Sequence, residues 1–161
     1  MNIIGAMHAL DETHGAVRVE DVYETDIADL WDACTTPERL ARWIAEVEGD
    51  FREGGTIHAS FTSTWTGPGR VEVCDAPQHL LLTMDLGTDD EGQIEAWLTA
   101  EGVKTRLVVE ERGLPLGNLY FYGAGWQAHL DDLRRSLAGE PSAWKARWDE
   151  LTPTYKAMPV G

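Results

Sequence analysis

The chain has 161 residues, with 28 Asp and Glu against 13 Lys and Arg and a formal net charge of −15. That describes one acidic domain able to bury its own core. It excludes nucleic acid and anionic membrane surfaces as partners, because both are bound through clustered Lys and Arg. Two cysteines are too few for a disulfide framework, and no apolar run approaches the roughly 20 residues of a membrane-spanning helix. Residues 1–10 carry no Lys or Arg, so no signal peptide is expected and a cytoplasmic address is the default.

Residues 16–24 place Val17, Val19, Val22 and Tyr23 in imperfect alternation with polar residues, a half-buried strand with which 2–8 can pair as a hairpin. Asp26 is suited to cap a helix carrying Ile27, Leu30 and Trp31, and Pro37 opens a second one with Leu40, Trp43 and Ile44 on one face. From 46 to 112 the pattern is of strands. Gly54-Gly55 introduces 56–65, in which Ile57, Ala59, Phe61, Ser63 and Trp65 share a face, and Gly67-Pro68-Gly69 reads as the turn into 70–74. Further strands are expected over 80–86, 93–99 and 103–111, an antiparallel meander. Over 119–138, Tyr122, Trp126, His129, Leu130, Leu133 and Leu137 recur at three- and four-residue steps, a helix about five turns long, which Gly139 stops.

The segment 29–43, DLWDACTTPERLARW, resembles the signature of proteins named after the activator of the heat-shock chaperone ATPase, the AHSA-like members of the START-like, or SRPBCC, superfamily. Gly54-Gly55, Gly69-x-Val71-x-Val73, Thr105-Arg106-Leu107 and Gly125-Trp126-x-x-x-Leu130-x-x-Leu133 are similar to later landmarks of that family, so the resemblance covers 1–139. It implies an α+β helix-grip fold, in which a curved antiparallel sheet is wrapped around a long C-terminal helix with an apolar cavity between them. It does not imply one activity, since carriers, cyclases, dehydratases and a chaperone co-factor share the fold.

His8, His14, His58, His79, His129, Cys34 and Cys74 show no metal-ligand spacing, and no metal or other cofactor is expected. The acidic run 85–91 puts Gly87 where a calcium loop needs an oxygen, and reads as a solvated hairpin. Gly123-Ala124-Gly125-Trp126-Gln127-Ala128 matches a dinucleotide fingerprint outside the β-α-β unit that gives it meaning, so its small residues are expected to let the helix lie close to the sheet.

The expected cavity wall is Phe61, Trp65, Met84, Leu107, Val109, Glu111, Tyr122, Trp126, His129 and Leu130, drawn from an inward set that also holds Ile57, Val71, Val73, Leu82, Ile94 and Leu98. Smaller aliphatics there are ordinary core; Trp65, Tyr122 and Trp126 combine a large ring with a polar handle that can orient a ligand. Ser63, Glu111 and His129 are the polar candidates. The expected partner is a small hydrophobic or aromatic molecule. The alternatives are a cyclase or dehydratase using Glu111 or His129 as acid–base and, from the family name alone, a chaperone ATPase co-factor. Beyond the domain at 1–139, the extension 140–161 has a helix opened by Pro141, with Trp144, Trp148 and Leu151 as an apolar stripe. The stripe is expected to pack on its own domain, a homodimer contact being the alternative. On this reading Trp65 and Trp126 are the two of seven tryptophans that bear on function.

Overall fold

In the computed structural model, which describes residues 2–161, the alternating segments form one eight-stranded antiparallel sheet. The strands are β1 (Gly5–Ala9), β2 (His14–Tyr23), β3 (Ala45–Gly49), β4 (Thr56–Phe61), β5 (Thr66–Asp75), β6 (His79–Met84), β7 (Gly92–Glu101) and β8 (Lys104–Pro115). Their order is β1-β2-β8-β7-β6-β5-β4-β3, so β3 to β8 are a meander and only the β2–β8 ladder joins distant parts of the chain. Helices α1 (Ile27–Thr35) and α2 (Pro37–Leu40) follow β2, and α3 (Leu119–Leu137) and α4 (Trp144–Ala157) follow β8. None is long and apolar enough to cross a membrane.

The two-helix segment forms for the reasons its residues suggest. The Asp26 carboxylate accepts the Asp29 N–H at 2.8 Å as the cap of α1, and Arg39 ties α2 to α1 through Asp29 at 2.9 Å and Asp32 at 3.0 Å. The second helix is shorter than its periodicity implies. It ends at Leu40, and 41–44 continue as turns in which Trp43 N–H bonds back to Leu40. Trp43 is buried all the same, its indole N–H donating to the Ala33 carbonyl at 2.9 Å.

Two strand assignments change. The hairpin expected at Gly67-Pro68-Gly69 lies earlier, at 62–64, where Thr64 adopts φ 81° and Phe61 N–H bonds to the Trp65 carbonyl at 2.8 Å. The three residues are instead part of β5, paired in that order with Ala59, His58 and Ile57 of β4. Pro68 is tolerated because it sits near the start of its strand. A bulge between Val71 and Val73 then shifts the register, so Cys74 rather than Val73 packs against the core.

Helix α3 lies on the face that carries Val17, Val19, Leu107 and Val109, and the Tyr23 hydroxyl donates to the Leu130 carbonyl at 2.9 Å. Its other side receives α4. A Cβ on Gly123 would meet the Tyr155 ring at 2.6 Å, and one on Gly125 would meet Trp144 at 3.5 Å. These two glycines therefore admit α4, not the sheet as their placement suggested. The expected start at Pro141 is also displaced: α4 begins at Trp144, where Asp132 of α3 accepts the Ala143 N–H at 2.8 Å and the Ser142 hydroxyl, and it runs on through Pro153. Leu151 and Tyr155 are fully buried, and the Tyr155 hydroxyl donates to Gln127 at 2.6 Å. The chain then ends along β1, where Ala9 N–H bonds the Gly161 carbonyl at 2.7 Å and Gly161 N–H bonds that of Met7 at 3.0 Å.

The two helix glycines differ in what a methyl would meet, and substitutions there should differ in sign. Gly123→Ala forces the Tyr155 ring to move, and overpacking of about 1–3 kcal/mol outweighs the helix-propensity gain. Gly125→Ala makes an ordinary contact and should be neutral or stabilising by up to about 1 kcal/mol. Urea unfolding of both variants measures the difference.

Candidate functional site

Between the sheet and the two C-terminal helices lies a cavity of about 710 Å³, within the size range of sites for small organic molecules. Its walls come from the β4–β5 turn (Phe61, Ser63, Trp65), from β6 to β8 (Met84, Ile94, Glu111), from α3 (Tyr122, Gly125, Trp126, His129) and from α4 (Trp144, Trp148). A deeper apolar chamber of about 70 Å³ adjoins it and shares Phe61, Met84, Ile94 and Trp126. Leu107 and Val109 line that chamber with Trp43 and Cys34, so they face the deep end and not the main cavity. Burial pushes the Cys34 thiol up to about 12, which makes it an inert part of the lining.

Of the ten sequence-identified wall residues, the structure brings seven together around the main cavity: Phe61, Trp65, Met84, Glu111, Tyr122, Trp126 and His129. Leu130 borders neither space; it is a fully buried core residue of α3. Trp65 reaches the cavity by a different route from the one its alternation suggested. It lies across the tight turn from Phe61, with ring centroids 5.4 Å apart at right angles. Tyr122 is 37% exposed and stands at the mouth with the exposed carboxylates of Asp89 and Asp90.

Sequence reasoning missed the share of α4. Trp144 and Trp148, taken as fasteners of the extension, are cavity wall as well as packing, which makes four of the seven tryptophans cavity-lining rather than two. Their rings stack at 5.8 Å and continue to Phe121 at 5.6 Å and His129 at 5.4 Å. Their indole N–H groups donate to the carbonyls of Gly125 at 3.0 Å and Phe121 at 3.1 Å. The available signal was the four-residue spacing of two tryptophans on an otherwise polar segment, which marks a buried face without saying what it faces.

Glu111 sits in the body of β8, not at a frayed exit, because the strand continues to Pro115. Opposite partners in a ladder share a face, and its register with Val17 on one side and Ile94 on the other turns the carboxyl inward. The indole N–H of Trp126 donates to its Oε1 at 2.8 Å. Desolvation pushes its pKa up to about 7, and the bond from Trp126 opposes the rise, so near neutrality the acid and the carboxylate are both present. His129 lies within 6.0 Å of Phe61, 5.5 Å of Trp126 and 5.4 Å of Trp144, measured between ring centroids. Desolvation among those rings drives its pKa down to about 3, a backbone hydrogen bond with Trp43 working the other way, and the imidazole is neutral. It is neither a cation tuned by a carboxylate nor a satisfied boundary residue: it is 3% exposed and its Nδ1 has no hydrogen-bond partner.

Away from the cavity, Trp97 lies on the outer face of the sheet, stacked on His79 at 5.9 Å. Arg112, which also touches the cavity, is engaged by Glu95 at 2.9 Å and Glu110 at 3.2 Å. Among the described residues no three His, Cys, Asp or Glu side chains gather to hold a metal ion.

A curved antiparallel sheet closed over a long helix, with a cavity between them, defines a helix-grip protein of the START-like superfamily. Within that class the chain belongs to the activator of Hsp90 ATPase homolog 1-like family, whose profile matches residues 24–138. Among solved structures it is similar to CalU16 from Micromonospora echinospora, at 25% identity over 95% of this chain and 94% of that one, with a TM-score of 0.75. DynU16, a protein of the dynemicin biosynthetic locus, is 26% identical over 78% of this chain and 48% of its own, with a TM-score of 0.70. The conserved protein EF2215 from Enterococcus faecalis, of unknown function, shares the fold at 17% identity, over 94% of this chain and 88% of that one, with a TM-score of 0.75. Comparison with curated proteins finds no match.

Glu111 and His129 load folding stability with opposite pH dependence. The folded state keeps the Glu111 proton from its ordinary 4.5 up to about 7, so the stability this group contributes is full below 4.5 and is lost as pH rises through 7. For His129 the contribution is present above 6.5 and is lost as pH falls towards 3. Glu111→Gln, which retains an acceptor for Trp126, should gain in melting temperature relative to the native protein as pH is raised from 5 to 8. Paired thermal melts at the two pH values check the sign.

Proposed function

We propose that the protein binds a small apolar or aromatic molecule in the main cavity, and the aromatic lining of that cavity carries the reading. Flat rings of Trp65, Trp126, Trp144 and Trp148 offer apolar area without flexible side chains to immobilise on binding. Glu111, with Trp126 holding it, supplies a fixed polar point for orientation. The occurrence of a structural neighbour in a biosynthetic locus fits a small organic cargo or substrate. The rest of the surface supports a small-molecule partner and neither nucleic acid nor membrane, since the net charge is −15. The stripe of α4 already packs on α3, which supports a self-contained fold over a homodimer contact. A cytoplasmic location and the absence of a cofactor belong to the same proposal.

A second reading, acid–base catalysis of cyclase or dehydratase type, is favoured by one observation: the inward Glu111 is poised between its acid and its carboxylate near pH 7. The expected result is that Glu111→Gln abolishes turnover of any substrate found to react. An unchanged rate removes Glu111 from the mechanism and leaves the binding reading.

Binding itself is tested with a panel of neutral aromatic and aliphatic compounds. A cavity ligand should quench the tryptophan emission and, at about a hundredfold excess over its dissociation constant, raise the melting temperature by about 5–10 °C. Absence of both signals across the panel overturns the proposal.

A further inference from the structure

The main cavity is one-sided in charge. Asp85, Asp89 and Asp90 stand at its rim and Glu111 in its wall, and among the described residues none of the four is in an ion pair. The basic groups nearby are engaged elsewhere. Alternation along β8 turns Arg112 to the face opposite Glu111, where Glu95 holds it at 2.9 Å and Glu110 at 3.2 Å. His14 lies beside Asp11 at 3.4 Å. A cleft with low-dielectric walls focuses such a field, so the space attracts a cation and opposes a carboxylate or phosphate.

Glu111 offers that cation a definite contact. Its Oε1 receives the Trp126 indole N–H at 2.8 Å, which fixes the carboxyl in place. Its Oε2 has no hydrogen-bond partner among the described residues, and the half-buried side chain opens on the cavity, so a bound molecule can reach it. Along the inward face of β8 the lining changes from apolar to acidic: Leu107 and Val109 belong to the deep chamber, and Glu111, about 7 Å beyond Val109, to the main cavity. The rings add to the attraction, because the faces of Trp65, Trp126 and Trp144 carry negative electrostatic potential. Burial with no cation beside it pushes the Glu111 carboxyl up to about 7, and a neighbouring positive charge restores the carboxylate.

We infer that the cavity takes molecules with an apolar aromatic body and a basic alkylamine, the rings lying among the tryptophans and the ammonium pairing with Glu111 Oε2. The inference rests on the binding reading above and names the ligand class for the same cavity.

Three probes of one ring system test it: naphthalen-2-ylmethylamine, naphthalen-2-ylmethanol and 2-naphthoate, titrated calorimetrically at neutral pH in about 0.15 M salt, which screens diffuse attraction to the acidic surface. The amine should bind about tenfold more tightly than the alcohol, which has the same rings and a neutral donor, and the carboxylate should bind most weakly. The alcohol should displace the amine, since both occupy one cavity. In Glu111→Gln, which retains an acceptor for Trp126, the preference for the amine over the alcohol should disappear. Equal affinity of amine and alcohol for the native protein overturns the amine assignment, whether or not the variant folds, and leaves aromatic binding intact. A preference that survives in Glu111→Gln, or an amine that the alcohol does not displace, overturns Glu111 as its partner. Tightest binding by the naphthoate overturns the exclusion of anions. Failure of all three to bind, with no shift from the wider panel either, removes the binding reading itself and this inference with it.

Discussion

The ladder between β2 and β8 is the pairing on which the rest of the molecule depends. It brings residues 14–23 against 105–115 and so joins the N-terminal hairpin to a meander that is otherwise made of neighbours in sequence. Because β7 pairs with β8 on its other side, β8 is held at both flanks and cannot slip by one residue without turning every side chain over. That constraint is what keeps Glu111 pointing inward against the preference of a carboxyl for water. It also gives α3 a fixed floor of Val17, Val19 and Val109, so the helix is positioned before any ligand arrives.

The buried polar groups of α3 form a graded series. Gln127 is fully used, accepting from Tyr155 at 2.6 Å and from Ile4 N–H at 3.2 Å and donating to the Asn2 carbonyl at 2.6 Å. Asp132 is equally engaged at the start of α4. These two fasten elements together and face no cavity. Trp126 spends its one donor on Glu111, whose carboxyl is only partly served, and His129 keeps an idle nitrogen. Satisfaction thus falls off toward the cavity, as expected where side chains are held ready for something other than the fold.

How much of this could be read from the sequence depended on whether the signal was local. The cap at Asp26, the proline at the start of α2 and the five-turn period of α3 depend on neighbouring residues alone, and all three were legible. The glycine–proline–glycine run was misleading because turn composition is a correlation: its residues fit a strand start as well, and the true turn was made by Thr62, Ser63 and Thr64, two of which are ordinary strand formers. A bulge moves a strand by one residue without a mark in the pattern, hence the exchange of Val73 for Cys74. The wall residues Phe61, Met84, Glu111, Trp126 and His129 were legible from alternation and helical period. Trp144 and Trp148 were not, because a stripe says that a face is covered, and only the approach of α4 to Gly123 and Gly125 puts it beside the cavity.

An open sheet of eight strands has two edges, and each exposes a row of unpaired backbone groups to any strand that drifts past. At β1 the row is partly taken by Gly161, which bonds to Met7 and Ala9. At the far side β3 has five residues, two of them the exposed Glu46 and Glu48. On a molecule already carrying −15, a second copy approaching that edge meets carboxylates facing carboxylates. The charge of the chain thus acts at a particular place as well as in total, since like-charge repulsion at this edge opposes the addition of a further strand to a sheet with open sides.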